Sequence, residues 1–389
     1  MKNQFIALPF SYVSRSLLRE PIKLLQKVLG AALVVSMVLA AGMFNQGMDR
    51  MLRNTGDPDN VLFIGAGSED SVERSEVAKR AEGLIAGGVR GIESRMNLPS
   101  VSGEVQYMGM VDFPDGARGQ GLLRGVTPSV FQVRPSVRLL EGRFPGSGEI
   151  LVGVSAHRAL GVPESHLAVG KTLSFDDQEF RISGRFEAPA TVLESEMWLL
   201  RGDLMTLTQR ETLSAVLVRL ADPAAFAAAD LFSKQRLDLE LVAIRESDYY
   251  AQLSRFYAPI RWMTWVTTAM IAMGAAFGGV NLLYAAFSAR MKELATLQSI
   301  GFSRLSLFIA LLQESLLSSL AGAWVSVLFA WFFLHGNQVF FSVGSFSLEL
   351  TPSLLLAAVV AALALAVVGT LPPALRCLRT PLPTALRAS

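Results

Sequence analysis

The run Ser165–Thr172, SHLAVGKT, lies one residue away from a phosphate-binding loop. Such a loop cradles phosphates with backbone N–H groups; it needs glycine at its first position and a helix after its last. Here Ser165 stands in the glycine position, and strand-like residues follow at Leu173–Phe175. The run therefore reads as a turn entering a strand. His157 and His166 are candidate general bases, but no Gly-x-Ser-x-Gly elbow accompanies either. Cys377 is the single cysteine, so an internal disulfide and a pair of cysteine metal ligands are excluded, and with His335 as the third and last histidine a zinc site built on a His cluster is not expected. No catalytic residue, metal site or cofactor is assigned to this chain.

Three other features carry physical content. The segment Arg290–Arg304, RMKELATLQSIGFSR, places Met291, Leu294, Ala295, Leu297 and Ile300 at spacings of three and four. That spacing is helical, and Gly301 is suited to end the helix. A short amphipathic helix between two apolar stretches is the form a membrane subunit inserts into a groove on a partner; the alternative is an ordinary connecting turn with an interfacial helix. Glu314 sits in an otherwise apolar stretch, where a charge is costly and turns toward a bundle interior or a partner. Gln313 beside it is a candidate hydrogen-bond partner. Gly274 and Gly278 form a GxxxG pair, which lets helices approach closely.

These features need long apolar elements to hold them. Of the 389 residues, 51% are hydrophobic and 17% charged, against about 25% charged in soluble domains. Four stretches reach the ~20 apolar residues that cross a bilayer. They are expected at 28–48, 259–288, 305–334 and 352–375, with Pro372-Pro373 breaking the last near its end. The second is long enough to project beyond the bilayer as a stalk. The first resembles a signal peptide, but Met43-Phe44-Asn45-Gln46 is a poor cleavage site, so a retained helix is expected.

Charge sets the expected orientation. Segments 1–27, 289–304 and 376–389 together hold 11 basic and 2 acidic residues, and the loop 335–351 holds no Lys or Arg. The positive-inside rule places both termini and 289–304 in the cytoplasm. Arg15, Arg19, Lys23 and Lys27 recur every four residues, as in an interfacial helix lying on anionic membrane lipid. The segment 49–258 then lies outside the cytoplasm. It carries 23 basic and 29 acidic residues, which argues against a nucleic-acid partner. The expected fold class is an α-helical membrane protein with four transmembrane helices and an α+β extracytoplasmic domain inserted between helices 1 and 2. No cytoplasmic piece of this sequence is large enough to bury a core, so any ATPase is expected on another polypeptide.

Within 49–258, strands are expected at Asn60–Ala66, Glu104–Met110, Glu149–Val154, Thr172–Phe175, Glu179–Phe186, Ser214–Arg219 and Leu237–Ile244. Helices are expected at Ser68–Ala86 and Ala224–Arg236. The Pro/Gly-rich stretch Asp112–Gln120 is a candidate seam between two subdomains.

The run Ala289–Arg304, continued by Glu314-Ser315-Leu316-Leu317, resembles the permease signature of the MacB/LolCE/FtsX-like superfamily of ABC transporters. Arg290, Lys292, Glu293, Leu294, Leu297, Ser299, Ile300, Gly301 and Glu314 match it, whereas Gln298 replaces a usual basic residue. The closing run Pro372-Pro373-Ala374-Leu375-Arg376 and Pro383-Thr384-Ala385-Leu386-Arg387 is similar to the family's tail. So are Gly125-Val126-Thr127-Pro128, Leu140–Phe144 and Glu149–Gly153 to its periplasmic domain.

The resemblance implies a bacterial inner-membrane permease with Arg290–Leu294, Leu297, Ile300 and Gly301 in the ATPase-coupling helix. It implies two copies of an ABC ATPase that bind the ATP and Mg, a second permease chain in a homodimer, and a periplasmic adaptor with an outer-membrane channel. Mechanotransmission then moves substrate outside the membrane. Two other classes stay open: an ATPase-coupled sensor or scaffold acting on a periplasmic partner, and a membrane-anchored outer enzyme, which lacks a motif.

Overall fold

The computed structural model describes residues 17, 19–95, 97–341 and 344–380. Most of the expected interfacial helix over 1–27, with Arg15, and the closing Pro383–Arg387 run lie outside the described residues. The chain divides into a helical unit (Met1–Gln46, Pro259–Asn337, Leu348–Ser389) and a sheet unit (Gly47–Ala258, Gln338–Ser347).

Among the described residues, four helices are long and apolar enough to cross a membrane: Pro21–Thr55 (α1), Ala258–Ala289, Arg304–Leu334 and Pro352–Arg379. Ser326 Oγ on the third donates to Ala32 O of α1 at 2.7 Å. A Cβ on Gly322 would lie 2.7 Å from Ala31 Cβ and from Val28 O, so glycine is what lets these two helices touch. Asn45 Nδ2 donates to Thr264 Oγ1 at 2.8 Å and fastens α1 to the second long helix. The fourth helix is not broken at Pro372-Pro373, but runs on to Arg379. Prolines persist inside apolar helices because neighbouring groups and local adjustments absorb the freed carbonyls.

In the sheet unit the chain runs β1 (Asn60–Gly65), α2 (Arg80–Gly88), β2 (Val101–Asp112), β3 (Arg118–Val126), β4 (Arg138–Gly142), β5 (Glu149–Gly153), β6 (Thr172–Phe175), β7 (Gln178–Glu187), β8 (Met197–Leu200), α3 (Arg201–Leu207), β9 (Ala215–Arg219), α4 (Phe226–Gln235), β10 (Leu241–Arg245) and α5 (Glu246–Phe256). The long helices that follow are α6 (Ala258–Ala289), α7 (Met291–Ile300), which is short, α8 (Arg304–Phe329) and α9 (Pro352–Arg379). A ten-stranded sheet has the order β10-β1-β9-β2-β3-β8-β5-β7-β4, with β6 pairing β2 and β7.

The twelve-residue β2 holds the sheet together. Residues 101–104 pair with β9, and residues 105–112 pair with β3. Asp112–Gln120 is therefore the tip of the β2–β3 hairpin, with its turn at 113–117 and Gly116 at φ +86°, and not a seam between subdomains. Phe63, Val105, Leu123, Ile150, Leu199 and Val216 are buried in one apolar cluster across these strands.

Two further expectations need correction. The helix expected over Ser68–Ala86 is a single 3-10 turn at Val72–Arg74 followed by α2. Residues between them stay extended because Val77 exchanges backbone hydrogen bonds with Leu213 and Ser75 Oγ accepts from Gly65 N. The loop 335–351 contains a hairpin, Gln338–Phe341 (β11) and Gly344–Ser347 (β12), that belongs to the sheet unit. Ser345 N donates to Ser195 Oγ at 3.1 Å.

A buried ionic network crosses the sheet. Arg124 donates to Glu196 through Nε and Nη2 at 2.6 and 2.5 Å and to Glu104 at 2.5 Å. Arg134 reaches Glu246 at 2.7 Å and Glu104 at 3.4 Å. Burial pushes the Glu104 carboxyl up, but Arg134 and Arg124 outweigh burial and hold it below the usual carboxylate range. Its contribution is thus present above the unfolded value, about 4, and is lost as pH falls below it. Removing one partner of such a network costs about 3–5 kcal/mol, because a buried charge is stranded. Arg124→Met is expected to lower denaturant stability at pH 7 by about that amount. Circular dichroism should show the wild-type sheet weakening below about pH 4, and Glu104→Gln should flatten that pH dependence.

Candidate functional site

Four charged side chains meet in the helical unit. Glu314, on α8, accepts from Lys27 Nζ of α1 at 2.8 Å and from Arg290 Nη1 at 2.9 Å. Arg290 lies between α6 and α7 and also reaches Glu293 of α7 at 3.3 Å. The Glu314 side chain is 7% exposed and that of Lys27 9%. Two cations and two anions make the cluster neutral, which removes most of the cost of a charge in an apolar bundle. Burial alone would pull the Arg290 guanidinium down, but Glu314 and Glu293 hold it raised, so it stays charged.

Sequence reasoning singled out Glu314 but gave it Gln313 as a neighbour; its partners are Lys27 and Arg290. Lys27 was read as part of a lipid-facing stripe, whereas its side chain turns inward. A separation of 287 residues hides that pair from local spacing.

The expected coupling segment is helical over Met291–Ile300 and ends at Gly301, whose φ is +114° and whose N–H donates to Gln298 O. Leu294 is buried, and Met291 and Leu297 pack against the same cluster as Phe287, Leu307 and Leu378. Lys292, Thr296, Ser299 and Ile300 form the outward face, with Ile300 70% exposed. Leu294 and Leu297 are therefore bundle residues, and Ile300 is the apolar side chain offered outward. A Cβ on Gly274 or Gly278 would meet nothing within 4 Å; close glycine contacts between the long helices are made instead by Gly322 against α1 and by Gly42 of α1 against Leu354 of α9.

The other candidate residues do not assemble. His157 Nδ1 lies 3.0 Å from Val154 O, and burial lowers its pKa. His166 stands 3.5 Å from Asp115 and against the Phe113 ring. In SHLAVGKT, Gly170 takes φ +86° and β6 follows directly, so the run is a turn into a strand.

Two family models match successive parts of the chain. The model of the MacB-like periplasmic core domain matches residues 27–230, and that of the FtsX-like permease C-terminal region matches residues 265–382. The chain belongs to the MacB/FtsX-like family of ABC transporter permeases. It is a permease-type subunit with a periplasmic sheet domain of the MacB-like kind and four apolar helices, and its family sits in the bacterial inner membrane. The periplasmic region of MacB from Actinobacillus actinomycetemcomitans is similar at 16% identity and TM-score 0.39, over 52% of this chain and 94% of that one. The extracellular domain of the noncanonic ABC-type transporter YknZ from Gram-positive bacteria is similar at 13% identity and TM-score 0.37, over 48% of this chain and 99% of that one. No curated protein matches the chain.

A double-mutant cycle of Lys27→Met and Glu314→Gln, read by reversible unfolding in mixed detergent, is expected to give a coupling energy of about 1–3 kcal/mol. Additive effects would mean that the pair is not formed.

Proposed function

We propose that this permease subunit couples a separate ABC ATPase to movement of its periplasmic domain, and that export or extraction of a substrate by mechanotransmission follows. The supporting observation is the mounting of α7. Its inner face packs on the bundle through Leu294 and Leu297, and Arg290 at its start is fastened to Glu314 of α8 and, through it, to Lys27 of α1. Its other face presents Lys292, Thr296, Ser299 and Ile300. A partner that grips this face and moves it displaces three helices together, because opening the joint would strand a charge in an apolar bundle.

The basic balance of 1–27, 289–304 and 376–389 supports placing α7 and both termini in the cytoplasm, where ATP is found. ATP and Mg belong to the partner on this reading, with two ATPase copies on a permease homodimer. The open Gly274/Gly278 face of α6 is the candidate contact for the second copy. A periplasmic adaptor and an outer-membrane channel complete the proposed assembly.

Affinity purification of the full chain from its native membrane tests the reading. An ABC ATPase should co-purify in equal amount, and Ile300→Asp should reduce it by about ten-fold, a loss of ~1.4 kcal/mol, while leaving thermal stability unchanged. Leu294→Asp should instead destabilise the chain itself. Glu314→Gln should keep the ATPase bound but lower transport per ATP hydrolysed. Co-purification that ignores Ile300→Asp would remove α7 as the docking helix. An ATPase whose rate responds to a periplasmic protein, with nothing exported, would favour a sensor or scaffold.

A further inference from the structure

The sheet unit contains a cavity of about 440 Å³ that none of the preceding roles uses. Ligand sites commonly span roughly 300–1,000 Å³, and benzene fits in about 150 Å³, so this volume suits a molecule of two to four rings. Its wall combines the buried ionic network with Tyr249, Tyr250 and Met108, and Asp70 and Glu73 also line it.

The charge inventory decides which ligand is favoured. Arg124 is fully engaged: besides Glu196 and Glu104, it donates to the Gln106 amide oxygen at 2.7 and 3.0 Å once that amide is oriented toward it. Arg134 spends both terminal nitrogens on Glu246 and Glu104. An incoming anion therefore meets guanidiniums that are already paired with carboxylates. Three glutamates face two arginines in the network, which leaves one negative charge in surplus. Asp70 and Glu73 add two more, and among the described residues neither forms a salt bridge. Asp70 takes only a Gln252 amide bond at 2.8 Å, and Glu73 the Met108 N–H at 3.1 Å.

Two aromatic rings stand in the same wall. Tyr249 and Tyr250 are edge to face at 5.3 Å, and the Tyr249 hydroxyl accepts from Val72 N at 3.4 Å, which fixes the ring. Aromatic faces beside acids attract cations, and more strongly where water is partly excluded. Arg134 supplies a polar anchor as well. Its side chain is 4% exposed, it lines the cavity, and its Nε is buried without a partner. A ligand ether or hydroxyl oxygen would satisfy it.

We infer that this cavity binds an organic cation with a ring-bearing apolar body and a neutral acceptor oxygen. The rings lie against Tyr249 and Tyr250, and the charge lies on the Asp70 and Glu73 side. This site stands apart from the coupling reading, and its test needs no ATPase. Berberine, a fluorescent aromatic monocation with ether oxygens, is titrated into the full chain in maltoside detergent. Saturable binding is expected. The Asp70→Asn/Glu73→Gln pair should weaken it about ten-fold, Tyr249→Leu should weaken it several-fold, and Tyr249→Phe should retain it. The anion 8-anilinonaphthalene-1-sulfonate should not compete. Asp70 is exposed at the rim, so Asp70→Asn alone preserves the fold and should still weaken binding about three-fold. A non-saturating signal, an affinity unchanged in all these variants, or displacement by the anion would each overturn the assignment.

Discussion

A carboxylate inside an apolar helix must be neutralised, paired or removed from lipid, and Glu314 is paired twice. Its two cations come from different elements, so the requirement on one side chain becomes a requirement on three helices. Lys27 fixes the start of α1 against α8, and Arg290 fixes the α6–α7 junction against the same point. Farther along α8, Gly322 and Ser326 hold α1 by contact and one hydrogen bond, with no charge involved. The two attachments differ in character. The small-residue contact depends on close fit, whereas the ionic joint resists separation because the Lys27 and Glu314 side chains are nearly fully buried and each would lose its partner. On the proposed reading, a force applied at α7 is passed to α1 and α8 through this joint.

The sheet unit uses the same physics with a different result. Arg124 and Arg134 lie between strands and helices distant in sequence, and their partners Glu104, Glu196 and Glu246 come from β2, the turn before β8, and α5. Apolar side chains could fill that space without desolvation cost. A buried network instead fixes one arrangement, since any slip of β2 would leave Glu104 or Arg124 unpaired. Of its members Arg124, Arg134, Glu196 and Glu246 reach the wall of the adjoining cavity, where Asp70 and Glu73 add two further carboxylates.

Elements set by a strong single constraint were legible in the sequence. The four apolar helices follow from the length needed to cross hydrocarbon, and α7 follows from its spacing and Gly301. Thr172–Phe175 was placed to the residue because alternation and a preceding turn agree. β3 was missed: its run RGQGLLRGV breaks alternation with glycines that sit beneath Leu160, Met197 and Leu204. The hairpin at 338–347 and the extended stretch before α2 were missed because tertiary hydrogen bonds, not local propensity, set them. The GxxxG spacing points to Gly274 and Gly278, but within this chain Gly322 and Gly42, neither in such a pair, make the close contacts, since what matters is the facing helix and not the motif. Lys27 was visible only as one of four basic residues, and nothing local distinguishes the one that turns inward.

The mounting of α7 limits how it can be held. Ten residues make a helix about 15 Å long, and Met291, Leu294 and Leu297 are already committed to the bundle. The remaining face has one large exposed apolar side chain, Ile300, among Lys292, Thr296 and Ser299. Such a face offers well under the roughly 1,200 Å² that stable protein interfaces bury. On the proposed reading, one helix in one groove is thus a weak attachment, and a transporter that stays assembled through its cycle needs more. Two permease chains gripping a paired ATPase supply it, because the second engagement becomes intramolecular once the first has formed. A shallow grip used twice releases and re-forms easily at each site while the assembly persists. That suits a joint whose task is to pass motion to Glu314 and its partners without being the strongest bond in the path.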